Sequence, residues 1–298
     1  MTANSEHASL RLGLFLAAFS ALGYSLKAIF IKLAYPYGVD AVTLLTLRMG
    51  ISLPLFLGIW LLSRGEAPPL TWGDRGRLLV MGLLGFYGAS IFDFLGLQYI
   101  TAGLERLILF TYPTLTVLIG VFFQGKAFTA RKGWSMALCY GGIALAFLHD
   151  LRFGQADAVV LGSALVFISS VCYAGYLSGS EGLIRRLGAT RFTTLAMLVS
   201  SAGIFLHFAL THSLVSLEQP LPVYGWSIAM AVFSTVAPVY ALSEAIRRIG
   251  AGRTAMTSML GPLLTIFFGW WLLGEAISLE QMIGAVLVVA GIVVVSRR

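Results

Sequence analysis

Ten apolar runs follow one another along this chain, each close to the length of a bilayer-crossing helix and each parted from the next by a short polar gap. They cover residues 12–34, 40–63, 77–97, 102–123, 132–149, 158–178, 190–210, 224–246, 252–273 and 279–296. A bilayer's hydrocarbon core is about 30 Å thick, and a helix needs roughly 20 mostly apolar residues to cross it. In lipid every backbone N–H and C=O must find its partner within the protein, so runs of this length predict helices. A membrane barrel would instead show strands of about ten residues with alternating hydrophobicity, and the runs do not alternate. A soluble domain could not cover a composition that is 58% hydrophobic and 11% charged. The expected fold class is an all-α membrane protein with ten transmembrane helices.

The formal charge of +7 raises the question of nucleic acid, and its distribution answers it. The cations collect in alternate gaps rather than along one stripe, which is how cytoplasmic loops are marked. Arg11 precedes the first run. Arg64, Arg75 and Arg77, then Lys126, Arg131 and Lys132, then Arg185, Arg186 and Arg191, then Arg247, Arg248 and Arg253 fill every second gap, and Arg297 and Arg298 end the chain. The other gaps hold little more than Lys32, Arg106 and Arg152. Both termini are therefore expected in the cytoplasm, with the chain multi-pass in a bacterial inner membrane and no nucleic-acid partner. The first run is too long for a cleaved signal segment. Cys139 and Cys172 lie inside apolar runs and read as small packing residues. His7, His149, His207 and His212 show no ligand spacing, so neither a metal nor another cofactor is expected.

The chain repeats itself at an offset of 149 residues without a gap. Gly13, Leu16, Ser20 and Tyr24 meet Gly162, Leu165, Ser169 and Tyr173. Ala102, Gly103, Pro113, Thr116, Gly120 and Gly125 meet Ala251, Gly252, Pro262, Thr265, Gly269 and Gly274. Two units result, residues 1–149 and 150–298, each with five runs. An odd number of crossings makes the second unit enter from the opposite side. The flanking charges follow, since Lys126 and Arg131 become Glu275 and Glu280, while Gln98 and Tyr99 become Arg247 and Arg248. Inverted repeats of this kind are a signature of carriers, because two like halves can exchange conformations.

The segments Gln98-Tyr99-Ile100-Thr101-Ala102-Gly103, Leu109-Phe110-Thr111-Tyr112-Pro113 and Gly125-Lys126 resemble the drug/metabolite transporter superfamily and, within it, the EamA family. The second copy is nearer the family pattern, with Ala251-Gly252, Gly261-Pro262, Leu273-Gly274-Glu275, Gln281 and Gly284. The resemblance spans all ten runs. It implies a secondary transporter, not an enzyme, that exports small metabolites such as amino acids by alternating access around a central cavity. A drug or nucleotide-type metabolite permease is the alternative within the same fold. A membrane-embedded enzyme is the alternative from another class, and neither H-E-x-x-H nor G-x-S-x-G is present to support it.

Polar residues inside the runs mark the candidate path. Ser20, Tyr24 and Lys27 share one helix face, and Ser169, Tyr173 and Tyr176 are their mates at the repeat offset. Tyr87 and Ser90 share a face in the third run, Tyr112 adjoins a proline, and Tyr240 lies in the eighth run. These ten are the expected cavity residues; bonding between helices is the other reading of their hydroxyls. Lys27 reads equally as a structural or snorkelling lysine. Lys32, near its helix end, reads as a snorkelling anchor. An intramembrane cation needs a partner, so Arg48 with Asp93 or Glu105 forms an ion-pair or gate candidate. Glu105 and Arg106 also read as solvated at the start of the fourth run. Pro113, Gly261 and Pro262 are hinge candidates, since proline leaves the carbonyl four residues back unbonded. The expected partners are a small-molecule substrate and the bilayer, with the chain a monomer or weak homodimer.

Overall fold

A computed structural model describes residues 3–62, 69–125 and 127–296. Arg64, Lys126, Arg297 and Arg298, all used in the charge pattern, lie outside the described residues. Among the described residues the chain is helical and contains no strand. The first seven helices are α1 (Ala3–Ala34), α2 (Ala41–Leu62), α3 (Trp72–Gly82), α4 (Ala89–Gly96), α5 (Ala102–Leu109), α6 (Tyr112–Gln124) and α7 (Ala130–Phe153). They are followed by α8 (Ala156–Leu187), α9 (Ala189–Thr211), α10 (Leu221–Ala231), α11 (Ala237–Ser258), α12 (Gly261–Leu273) and α13 (Leu279–Ser296). Some helix starts are capped by side-chain oxygens that accept the first free N–H groups. Asp40 accepts from Val42 and Thr43 at 2.8 and 3.0 Å, and Thr101 accepts from Leu104 at 3.1 Å. Helices α6 and α12 both stop at a left-handed glycine, Gly125 at φ 65° and Gly274 at φ 68°, a conformation that costs a glycine little.

Eight helical stretches are long and apolar enough to cross a membrane: Leu10–Tyr37, Ala41–Leu62, Trp72–Gly96, Ala102–Phe123, Ala130–Phe153, Ala156–Leu187, Ala189–Thr211 and Leu221–Ile249. Two shorter apolar helices, Gly261–Leu273 and Leu279–Val294, occupy the places of the ninth and tenth expected spans. The surface is that of a membrane protein. Phe122, Phe123, Trp134, Leu206 and Leu210 stand exposed, while Ser20, Ser52, Ser169, Ser200 and Ser227 are buried. Water would penalise so large an apolar exterior, and lipid solvates it. The small side chains let helices approach closely, and Ser20 and Ser169 also bond across to neighbouring helices.

The helix breaks fall differently from the expectation at three places. No break separates the eighth run from the ninth after residue 246, because α11 runs on to Ser258. The fourth and ninth runs are not single kinked helices either. Each stops and restarts, α5 to α6 through Phe110–Thr111 and α11 to α12 through Met259–Leu260. Pro113 and Pro262 stand in the first turn of the new helix, where a missing N–H costs nothing.

Contacts repeat at the 149-residue offset, as a two-fold axis requires. Ser20 Oγ donates to Pro238 O at 2.9 Å, and its mate Ser169 Oγ donates to Ala89 O at 2.6 Å. Gly13 lies against Arg248 and Ile249, and Gly162 lies against Tyr99 and Ile100. In the α7–α13 pair, Gly142 meets Gly284 O and Gly291 meets Ser135 O. Cys139 Sγ lies 3.6 Å from Val288 O, its own mate, so the axis passes there. Two π-helical turns obey the same offset, Leu83–Gly88 between α3 and α4 and Val232–Val236 between α10 and α11.

Candidate functional site

Where these elements converge they leave a cavity of about 210 Å³. Its wall takes Tyr24 and Lys27 from α1, Arg48 from α2, Ser90 from α4, Arg106 and Leu109 from α5, and Tyr112 from α6. Ser169 and Tyr173 of α8, Met197 of α9, and Val239, Leu242 and Ser258 of α11 face them. The π turns contribute Gly85 and Phe86 on one side and Ser234 and Thr235 on the other. Six pairs of these positions are mates at the repeat offset: Tyr24 with Tyr173, Arg48 with Met197, Gly85 with Ser234, Phe86 with Thr235, Ser90 with Val239, and Leu109 with Ser258. The cavity therefore lies on the two-fold axis, shared by both units.

Of the ten residues expected on the wall, Tyr24, Lys27, Ser90, Tyr112, Ser169 and Tyr173 are there. Tyr112 and Tyr173 meet edge to face, with ring centres 5.0 Å apart. The other four stand behind it. Ser20 is spent on Pro238 O. Tyr87 bonds His207 Nδ1 at 2.9 Å, and Tyr240 bonds Thr194 Oγ1 at 3.1 Å. Tyr176 is buried between Phe86, Phe192 and Tyr173, and Gly85 rests on its ring because a side chain there would clash. These four support the wall by packing.

The ion pair forms, but with a different cation. Lys27 Nζ lies 2.6 Å from Asp93 Oδ2 and 3.8 Å from Glu105 Oε1. Both acids are fully enclosed, at 1% and 0% exposure, and the lysine stands between them and the cavity. Arg48 makes no salt bridge among the described residues. Its Nη2 donates to Ser90 Oγ at 3.2 Å, its guanidinium lies 5.0 Å from the centre of the Phe94 ring, and its Nε has no acceptor. Nor are Glu105 and Arg106 solvated. Both are buried, and the Arg106 guanidinium stacks 5.0 Å over Phe110.

Gly261 is the first residue of α12, directly after the break. A methyl group there would stand 3.0 Å from Arg106 Nη2, so the glycine makes room for the guanidinium. The Leu109 carbonyl that Pro113 leaves unbonded accepts from Ser170 Oγ at 3.1 Å.

Similarity to known proteins agrees with this architecture. The EamA-like transporter family pattern matches twice, over residues 11–148 and 160–297. The chain belongs to the EamA-like transporter family. Among its relatives is the uncharacterized transporter YcbK of Bacillus subtilis (strain 168), 32% identical over 88% of this chain and 85% of its own. An uncharacterized transporter of Archaeoglobus fulgidus is 25% identical over 94% of each chain. An S-adenosylmethionine/S-adenosylhomocysteine transporter of Chlamydia trachomatis is 24% identical over 67% of this chain and 63% of its own. A solved crystal structure shares the fold with a TM-score of 0.68 at 18% identity, over 95% of this chain and 96% of that one.

This EamA-like chain has a second polar cluster beyond the cavity. Lys32 Nζ donates to Ile100 O at 2.7 Å and lies 3.2 Å from Glu275 Oε1, so it is tied inward rather than snorkelling. Glu275 accepts from the Ala102 N–H, and Thr101 Oγ1 donates to Asp150 Oδ2 at 2.7 Å. Gln281 Nε2 donates to Asp150 Oδ1 at 3.0 Å. The cluster joins α1, α5 and α7 to the start of α13. At the other end of the molecule Glu244 pairs with Arg247 and Arg248, each at 2.6 Å, as its neighbours in sequence suggest. Arg106, Ser234, Thr235 and Ser258 were not recognisable as cavity residues from their runs alone. The repeat offset did not reveal the last three either, because their mates Gly85, Phe86 and Leu109 carry no polar side chain.

Proposed function

We propose that the chain is a secondary carrier that exports a small metabolite, an amino acid or a related carboxylate, across a bacterial inner membrane by alternating access. In this reading the chain crosses ten times, the two five-helix units are threaded in opposite senses, both termini are cytoplasmic, and one chain is the working unit. The observation that carries it is the cavity on the two-fold axis, built from six pairs of mate positions. A hollow related to itself by the repeat can open to one side by a motion and to the other by that motion's mirror. Its volume of about 210 Å³ is below the roughly 300–1,000 Å³ of drug-sized pockets, which supports a small solute. The nucleotide-type alternative draws on the family resemblance and on the Chlamydia relative's name.

Purified protein in liposomes, given a panel of labelled amino acids, organic acids and nucleosides, should show saturable flux. Tyr24→Ala and Tyr173→Ala should each lower that flux about tenfold or more with insertion intact, since each removes an aromatic wall. Undiminished flux in both variants would remove the cavity from the transport path.

A further inference from the structure

The chemistry of this cavity is lopsided where its geometry is symmetric. All its charge comes from one unit. Arg48, Lys27 and Arg106 line it, and their mates at the repeat offset are Met197, Tyr176 and Ala255. Ser90 likewise faces across to Val239. Lys27 is occupied by Asp93 and Glu105. The two guanidiniums are not so occupied. Among the described residues Arg48 and Arg106 make no salt bridge, both are more than nine-tenths buried, and the Nε of each is a buried donor with no acceptor. Burying an ion this way costs several kcal/mol unless an opposite charge compensates it, and buried donors without partners are rare enough to need a reason. With both enclosed acids ionised, the two buried guanidiniums and the partly exposed Lys27 ammonium leave one positive charge over. No acid lines the cavity.

Resting on the carrier reading above, we infer that the transported solute is an organic monoanion. Its carboxylate is held by Arg48 and Arg106, and its apolar body lies against Met197, Val239 and Leu242. A guanidinium presents a planar fork of donors that fits a carboxylate. A bound monoanion cancels the surplus charge. The opposite wall supplies apolar contact and the hydroxyls of Ser169, Tyr173, Ser234, Thr235 and Ser258 but no anion, so the ammonium of an amino acid or amine finds no counter-charge there. The carboxylate of an amino acid is then its one ionic handle, and its deaminated 2-oxo acid, with no ammonium to desolvate, is the better substrate.

The test uses matched solutes in protein-containing and empty liposomes. Phenylpyruvate, phenylalanine and phenethylamine share a ring and differ in charge, as do 4-methyl-2-oxopentanoate, leucine and isopentylamine. The expected result is a protein-dependent initial rate for each oxo acid at least about tenfold above its amine, with the amino acid between them. Arg48→Gln and Arg106→Gln should each lower the anion-to-amine ratio by about 10- to 100-fold, the worth of a hydrogen bond between charged groups. Arg→Lys at either site should restore part of it. That ratio is a readout that a merely structural role would not move. Should a Gln variant fail to insert, the wild-type ratio and the Lys variant still decide. Amines carried as fast as the oxo acids, or a ratio untouched by both Gln substitutions, would overturn the inference. Transport of neutral or cationic solutes with no anion carried would overturn it too, while leaving the carrier intact. Absence of flux for every solute would instead bring down the carrier reading beneath it.

Discussion

Replacing Lys27 by methionine keeps most of the stem and deletes the ammonium that two enclosed carboxylates share. At an effective dielectric of about 20, attraction at the observed 2.6 Å separation from Asp93 is about 6 kcal/mol, and at 3.8 Å from Glu105 about 4 kcal/mol. Much of that is already offset by the cost of taking both acids wholly, and the lysine largely, out of water. What the variant exposes is the remainder, two buried acids with no cation, and losing one partner of a buried pair costs about 3–5 kcal/mol. Thermal unfolding in detergent, followed by tryptophan fluorescence, should show a fall in Tm of the order of 10 °C. The combined Lys27→Met, Asp93→Asn, Glu105→Gln variant should recover most of it, because amides bury more cheaply than ions. If Lys27→Met melts with the wild type, the three side chains do not act as one charged cluster and the energetics above are wrong.

Two further outcomes follow from packing and capping. In Gly142→Ala the new methyl carbon would lie 2.5 Å from Gly284 O, prising α7 from α13, and should cost about 1–3 kcal/mol in the same melt. Its neighbour Gly141 has open space, so Gly141→Ala should be neutral or up to about 1 kcal/mol stabilising. Asp40→Ala removes the cap of α2 and should cost about 0.5–2 kcal/mol. Partial burial alone would raise the Asp40 carboxyl, but hydrogen bonds from Thr43 and Val42 and the attraction of His212 outweigh it and hold the group below its ordinary value of 3.8. Its contribution is therefore full above that value and lost as pH falls through the lower folded one. Melts of wild type and variant should differ at pH 6 and converge as the pH is taken well below 3.8.

The helical, lipid-solvated class was readable because it depends on run length and composition, which survive any error of a few residues. The repeat was readable because paired glycines, prolines and serines keep their phase without a gap, and Ser20 and Ser169 make the mated bonds that phase requires. Other features were not. Sequence gives the depth of a charge along its own helix but not its rotation toward a neighbour. Arg48 and Lys27 are both cations inside apolar runs, and only packing decides that Lys27 reaches the acids while Arg48 turns to Phe94 and the cavity. Tyr176 carries the same hydroxyl as Tyr173, yet the bare Gly85 opposite draws its ring into the core. The proline rule located the interruptions near residues 110 and 259, but could not tell a bent helix from one that stops and restarts.

The paired π turns bear on how such a molecule can move. In each, an N–H reaches five residues back, Ala89 to Leu84 and Ala237 to Val232, so the helix carries one residue more than its regular pitch needs. That extra residue can be handed along the helix like a crease along a carpet. Each turn it passes would swivel its side chains by about 100°, the angle between neighbours on a 3.6-residue pitch. Phe86 and Thr235 sit on those creases, so a swivel there would re-face the lining of the hollow while the helix ends, anchored in their own contacts, need not shift.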